Sequence, residues 1–303
     1  MTNFHSGFIA IIGRPNVGKS TLINALLGQK VAAVSPRAQT TRRRQLGILT
    51  TETYQMIFVD TPGLHRPRHR LGEFLNQEAR EALEDVDAIL WLFDGTVEPS
   101  EEDAEIAAFL PRRKPLVLGL NKVDLLSPEA LASRREAYQA LVHREAKVMP
   151  ISATRGDGLA DVQSLLASFL PERPPEFDSE QVTDLYEKEI AADLVREAAL
   201  KILRDEVPHG IAVRIDEFTE RANGMAYIAA TVFVERESQK GIVIGEGGKM
   251  LKRIGSEARK EIESMGGRPV FLELRVKVLK DWRDDEEWLK RFGYKVKTKK
   301  KHK

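Results

Sequence analysis

The sequence predicts an α/β domain with a mostly parallel sheet covered on both faces, followed by a smaller α+β domain. Three observations carry that expectation. Up to residue 175, short apolar runs alternate with amphipathic helical stretches, as in a parallel sheet whose strands are buried on both sides. A proline-rich break, LPERPPEF (170–177), then marks a boundary. Beyond it a helix, two long runs of alternating polarity, a helical segment, a glycine loop, a second helix and a last strand read as α-β-β-α-α-β. The expected domains are 1–175 and 176–303.

Taken in order, the strand candidates of the first domain are FIAII (8–12), MIFVD (56–60), AILWLF (88–93), PLVLGLN (115–121) and VMPIS (148–152). Each is apolar, short and bounded by turn residues. Helical patterns near 19–27, 72–84, 101–110, 128–143 and 159–170 lie between them. Ligands of such sheets collect at the carboxyl ends of the strands. In the second domain a helix over about 183–206 precedes HGIAVRIDEFTER (209–221) and MAYIAATVFVERE (225–237), joined through ANG as a hairpin. A helix over about 249–264, the strand PVFLELRVKVL (269–279), a short acidic helix and the tail KVKTKKKHK follow.

Of the 303 residues, 42% are hydrophobic and 31% charged, enough for a core in each half. No apolar run approaches the ~18 residues of a membrane span. The start, MTNFHSGFIAIIG, lacks the basic region and apolar stretch of a signal peptide. The absence of cysteine excludes disulfides, thiol nucleophiles and cysteine zinc sites, and fits a cytoplasmic protein. The net charge of +1 conceals an asymmetry: 1–175 is balanced, 176–239 carries −8 and 240–303 carries +9. A basic end suggests a polyanionic partner, against the plainer reading of a solvated surface.

Gly13, Gly18, Lys19 and Ser20 within GRPNVGKST (13–21) match a phosphate-binding loop lying between a strand and a helix. Its glycines let backbone N–H groups of the segment around Asn16, Val17 and Thr21 face an anion. Lys19 is placed for the β- and γ-phosphates and Ser20 for Mg²⁺. DTPG (60–63) ends another strand, so Asp60 would hold Mg²⁺ through water and the Gly63 N–H would meet the γ-phosphate. NKVD (121–124) offers Asp124 to the ring N–H and exocyclic amine of guanine, with Asn121 bracing the loop and Lys122 along the base. Adenine would present an acceptor to that carboxylate. Ser152 and Ala153 end the last strand and would complete the base pocket through a backbone N–H. GTP and GDP are the expected nucleotides.

The stretch KVAAVSPRAQTTRRRQ (30–45) has little apolar periodicity and reads as a mobile switch. Thr41, or its neighbour Thr40, would complete the Mg²⁺ shell when the γ-phosphate is present. Arg42, Arg43 and Arg44 read as a solvated basic run. LHRPRHR (64–70) reads as a second switch; His65 and His69 lack a third ligand for a metal. Leu64 stands where a glutamine would orient the attacking water, so slow intrinsic turnover is expected.

The second glycine loop, GEGG (245–248), lacks the Lys-Ser/Thr of a phosphate loop, and Met250 breaks a dinucleotide fingerprint. Gly245, Glu246, Gly247 and Gly248, with Lys249, Lys252 and Arg253 beyond, instead suit a GxxG clamp on the backbone of single-stranded nucleic acid. Ile242, Ile244, Leu251 and Ile254 read as core.

On these motifs the chain resembles the Era GTPases, over nearly its whole length: FIAIIGRPNVGKSTLINALLGQK, AQTTR, DTPGLH, NKVD, PISA and VERESQKGIVIGEGGKMLKRIGSEARKEIE. The resemblance implies a P-loop GTPase domain and a type II KH domain. It also implies binding near the 3′ end of small-subunit ribosomal RNA, favoured by GTP, and a part in assembling the small ribosomal subunit. A K⁺ held with help from Asn16, peripheral contact with the inner face of the cell membrane, and a hydrophobic residue after DxxG, here Leu64, are implied in the same way. Glu246 stands where basic or polar residues often occur in that family. A monomer is expected, and the eight basic residues from Lys290 onward would reinforce binding to RNA or anionic lipid.

Overall fold

The apolar runs of the first half become the strands of one six-stranded sheet, in a computed structural model that describes residues 3–35, 41–64, 66–67, 69–142, 144, 146–204 and 207–294. The strands are β1 (His5–Ile12), β2 (Gln45–Thr50), β3 (Tyr54–Asp60), β4 (Ala88–Asp94), β5 (Leu116–Asn121) and β6 (Lys147–Pro150), in the order β2-β3-β1-β4-β5-β6. All neighbours run parallel except β2, which pairs antiparallel with β3. Successive residues of β1 face opposite sides. Ala10 and Ile12 join one buried cluster with Trp91 and Phe93, while Ile9 and Ile11 join another with Leu90 and Leu92. Both faces are therefore core, which is why these strands read as unbroken apolar runs.

Helices α1 (Lys19–Leu27), α2 (Arg70–Glu81), α3 (Glu101–Phe109), α4 (Pro128–Gln139) and α5 (Leu159–Ala167) connect the strands. Their starts follow from local chemistry: Ser100 and Asp103 form a reciprocal capping box for α3, and Ser127 with Pro128 opens α4. The register places Ile11 beside Asp60 and Asp94 beside Asn121. The carboxyl ends of β1, β3 and β5 thus open on the same edge, where strand order turns about β1.

Strand β2 is not among the expected elements: the sequence assigns its first residue, Gln45, to a mobile segment and predicts no strand over 46–50. Leu46 and Ile48 face the core, and a side chain at Gly47 would meet Ile23 at 2.8 Å. Two apolar residues divided by glycine gave no legible alternation. The edge of β2 is covered by chain beyond the proline-rich break. Ile48 N–H donates to Val182 O, Leu46 N–H donates to Asp184 Oδ1, and Gly47 bridges Thr183. The buried Gln55 amide donates to Phe177 O and accepts from the N–H groups of Glu176 and Phe177. Pairing and covering an edge in this way removes a template for aggregation. The first compact unit accordingly extends to Asp184, and the second begins at Leu185, with Ser35 and Pro67–Phe74 grouped with it.

The second unit follows the expected order: α6 (Glu187–Ile202), β7 (Ala212–Glu220), β8 (Ala226–Val234), α7 (Glu237–Ile244), α8 (Lys249–Gly266), β9 (Val270–Val278) and a short α9 (Glu286–Arg291). Its sheet runs β7-β8-β9, antiparallel then parallel. Leu194 and Ala198 of α6 with Ile254, Ala258 and Ile262 of α8 cover one face against Ile228, Ala230 and Val232. At the far end Phe233 packs against Trp288 and Phe292, and the buried Trp282 donates Nε1–H to Gly210 O. Among the described residues, no helix is long and apolar enough to cross a membrane.

Candidate nucleotide and nucleic-acid sites

The loop after β1 needs its glycines for two separate reasons. Gly13 (φ 144) and Gly18 (φ 103) take backbone that side chains rarely adopt. A Cβ on Gly13 would also strike Leu92 O, and one on Gly18 would strike Asn121 Nδ2, both at 2.3 Å. Asn16 stands in the left-handed region too (φ 65). Gly18 then caps α1 without any side-chain bond, and the first turn of α1, which includes Thr21, carries no acidic residue. That helix end is an anion site by geometry and dipole.

Lys19 lies buried with Nζ donating to Gly13 O (3.1 Å) and Arg14 O (3.0 Å). Ser20 Oγ donates to Asp60 Oδ2 at 2.9 Å and sits 2.8 Å from Thr41 Oγ1. Thr41 donates to the same carboxylate oxygen at 3.1 Å, and so does Gln45 Nε2 at 3.2 Å. The other oxygen, Asp60 Oδ1, is buried without a hydrogen-bond partner. Burial pushes Lys19 down to about 8 against the pull of Asp60, and pushes Asp60 up against Lys19 and the three donors. An added anion would favour the charged form of Lys19, and an added cation that of Asp60. Two hydroxyls and one carboxylate, whose Oδ1 is left without a partner, form a hard, all-oxygen donor set that fits Mg²⁺. Thr40 and His65 lie outside the described residues. Among the described residues, no group of three His, Cys, Asp or Glu could hold a metal.

Gly63 packs so tightly on the loop that a Cβ would meet Pro15 N at 2.7 Å. The next residue, Leu64, is 4% exposed within the core, and its N–H donates to Gly13 O. Arg66 bonds Glu101 and Glu105 of α3. Arg42 is 4% exposed, which departs from the expected solvated run, whereas Arg44 is exposed.

Asn121 staples the base side: its Nδ2 donates to Val17 O (2.8 Å) and its Oδ1 accepts from Ala153 N–H (2.9 Å). Lys122 (φ 65) donates to Asp94 Oδ2 at 2.5 Å. Burial raises Asp94, but Lys122 and Thr96 hold it below its ordinary range. Asp124 Oδ1 is a second buried oxygen without a partner. Ser152 N–H is bonded to Asp157 O and Ala153 N–H to Asn121. These bonds brace the loop beside Asn121.

In the second unit, Gly245, Gly247 and Gly248 have φ of 71, 58 and 77. Only Gly245 is crowded, by Met250 at 2.7 Å; beside Gly247 and Gly248 the space is open, as close approach of another backbone requires. Glu246 and Lys249 form an exposed pair at 3.8 Å, of the weak surface kind. A groove runs from Gly248 past Leu251, Lys252 and Arg259 of α8 beside Leu272 and Leu274 of β9. Arg253 is exposed on the same helix. Ile254 is core, but Ile242 is 49% exposed, which corrects the expectation that it would be buried. Sequence reading also missed Phe271, 51% exposed, stacked on Tyr227 with the Arg221 guanidinium over both rings. Its signal was alternation: Phe271 is out of phase with the inward Val270 and Leu272.

Comparison with known proteins follows the same division. The model of the 50S ribosome-binding GTPase family matches residues 8–122, and the KH domain model matches 206–283. The GTPase Era of Geotalea uraniireducens (strain Rf4) is 45% identical over 96% of this chain and 98% of its own. That of Lacticaseibacillus paracasei is 45% identical over 98% and 99%. A crystal structure of Era with MgGDPNP and nucleotides 1506–1542 of 16S ribosomal RNA superposes with a TM-score of 0.90. It is 39% identical over 97% of this chain and all of its own. A variant of Aquifex aeolicus Era bound to GDP and AlF4⁻ gives the same values. With such identity along both chains' full lengths, this chain belongs to the Era family of GTPases.

Proposed function

We propose that the chain is a GTP-hydrolysing switch that binds small-subunit ribosomal RNA near its 3′ end through its KH domain and assists assembly of the small subunit. The observation that carries the nucleotide half is the pair of buried, unpartnered carboxylate oxygens, Asp60 Oδ1 after β3 and Asp124 Oδ1 after β5. A buried acceptor left unmade is costly, and guanine with a Mg²⁺-bound water supplies partners for both. The relative bound to MgGDPNP and 16S RNA supports the same reading.

In this mechanism the loop amides and the start of α1 hold the phosphates. Lys19 turns from the carbonyls of Gly13 and Arg14 to the β- and γ-phosphates. Ser20 and Thr41 would give oxygens to Mg²⁺, Asp60 would hold it through water, and the Gly63 N–H would meet the γ-phosphate. Bound Mg²⁺ would neutralise charge developing on the phosphate oxygens. Asp124 accepts both guanine donors while Asn121 and Lys122 hold the loop. Leu64, turned into the core, cannot orient water, so intrinsic turnover is slow; Asn16 would help hold a K⁺ that would assist it. The protein acts as a cytoplasmic monomer. The basic tail at 295–303, which lies outside the described residues, would add charge toward RNA or anionic lipid at the membrane's inner face.

The RNA half rests on open space beside Gly247 and Gly248 at the head of the α8–β9 groove. Fluorescence anisotropy with a short single-stranded RNA from the 3′ end of small-subunit ribosomal RNA tests it. Gly247→Asp should weaken binding at least ~10-fold, since it adds an anion facing a phosphate backbone. Unchanged binding that follows salt alone would reduce this domain to a basic surface.

A further inference from the structure

Gln45 opens β2 and stands opposite Asp60 in the antiparallel ladder. It is 6% exposed, at the edge of the packed Leu46 and Ile48. A buried amide costs stability unless its hydrogen bonds are made, and Gln45 Nε2 donates to Asp60 Oδ2 at 3.2 Å. The other two donors to that oxygen are the hydroxyls of Ser20 and Thr41, which the reading above assigns to Mg²⁺. Gln45 is therefore the donor on Oδ2 that carries no ligand role of its own. It comes from a strand, whereas Thr41 comes from a segment expected to move.

We propose that Gln45 is a positioning residue for the Mg²⁺ site. Its amide fixes the Asp60 carboxylate whether or not Thr41 is in place, and leaves the unpartnered Oδ1 to the water shell of the ion. The inference rests on the Mg²⁺ reading of Ser20, Thr41 and Asp60. Carboxylates that serve metals are themselves hydrogen-bonded, and losing such a partner lowers metal affinity about 10- to 100-fold.

The test is release of fluorescent GDP from the full chain across a Mg²⁺ series. Gln45→Leu keeps the volume and removes the donor, so the Mg²⁺ concentration that half-slows release should rise about tenfold. Gln45→Glu puts an acceptor and a like charge against Asp60, and should raise it further. At saturating Mg²⁺ release should return to that of the unsubstituted protein; a packing role would alter release equally at every concentration. A midpoint within about twofold for both variants, or loss of folded circular dichroism in both, would overturn the proposal. If release from the unsubstituted protein ignores Mg²⁺, the underlying Mg²⁺ reading falls. If that release responds to Mg²⁺ and the variants match it, only the role of Gln45 falls.

Discussion

On the proposed reading a single carboxylate, Asp124, carries the choice of base. Its buried Oδ1 has no protein partner, so the ring N–H and amine of guanine would complete it and adenine would leave it opposed to another acceptor. Asp124→Asn should lower GTP affinity ~100-fold or more while leaving the thermal midpoint nearly unchanged; competition with labelled GDP checks the first and a thermal melt the second. Leu64 supports a prediction of the opposite kind. Its place in the core means that Leu64→Gln would bury an amide instead of aiming it at water. The variant should lose about 1–3 kcal/mol of stability and gain no single-turnover rate. Faster single-turnover hydrolysis by Leu64→Gln would show that the side chain at this position can leave the core. The residues of the phosphate and base loops were legible because their chemistry demands fixed types at fixed spacing. Gln45 was not, because nothing in a lone glutamine tells that its amide meets an aspartate brought alongside by strand pairing.

Among the elements, β2 shows what periodicity misses. Its two inward residues flank a glycine and follow a basic run, so neither alternation nor a continuous apolar stretch appears. The strand exists because its ladder with β3 and the chain at 182–184 satisfy its backbone on both sides. Gln55 holds residues 176–177 of the covering chain through three hydrogen bonds and donates a fourth to Thr50 Oγ1 of β2. Gln55→Leu should cost about 2–4 kcal/mol in urea unfolding and raise hydrogen exchange at Leu46 and Ile48; unchanged exchange there would show that the edge is covered without it. The helix–GxxG–helix of the second unit was legible because the GxxG pattern fell inside an α-β-β-α-α-β order and a strongly basic segment. Phe271 escaped notice because an outward aromatic within an apolar strand reads as core until the strand's facing is known.

The whole molecule joins a nucleotide site and an RNA site in one chain, and the central claim is that they are coupled. Coupling of binding is reciprocal: if GTP tightens RNA binding by some factor, RNA must tighten GTP binding by the same factor. The fold class, the family, the second domain's element order and the first domain's apart from β2 could be read from the sequence, because strand–helix alternation and motif spacing are local. The coupling would not be local, since on the proposed reading it would depend on which surface GTP orders around Thr41. The most direct measurement is anisotropy of the 3′-end RNA bound to the full chain with a non-hydrolysable GTP analogue and with GDP, at several salt concentrations. Binding should be tighter with the GTP analogue at every salt, by a factor equal to the RNA-induced gain in GTP-analogue affinity over GDP. Equal RNA affinity in the two nucleotide states would contradict the claim, and would leave an RNA-binding protein that uses nucleotide for stability alone.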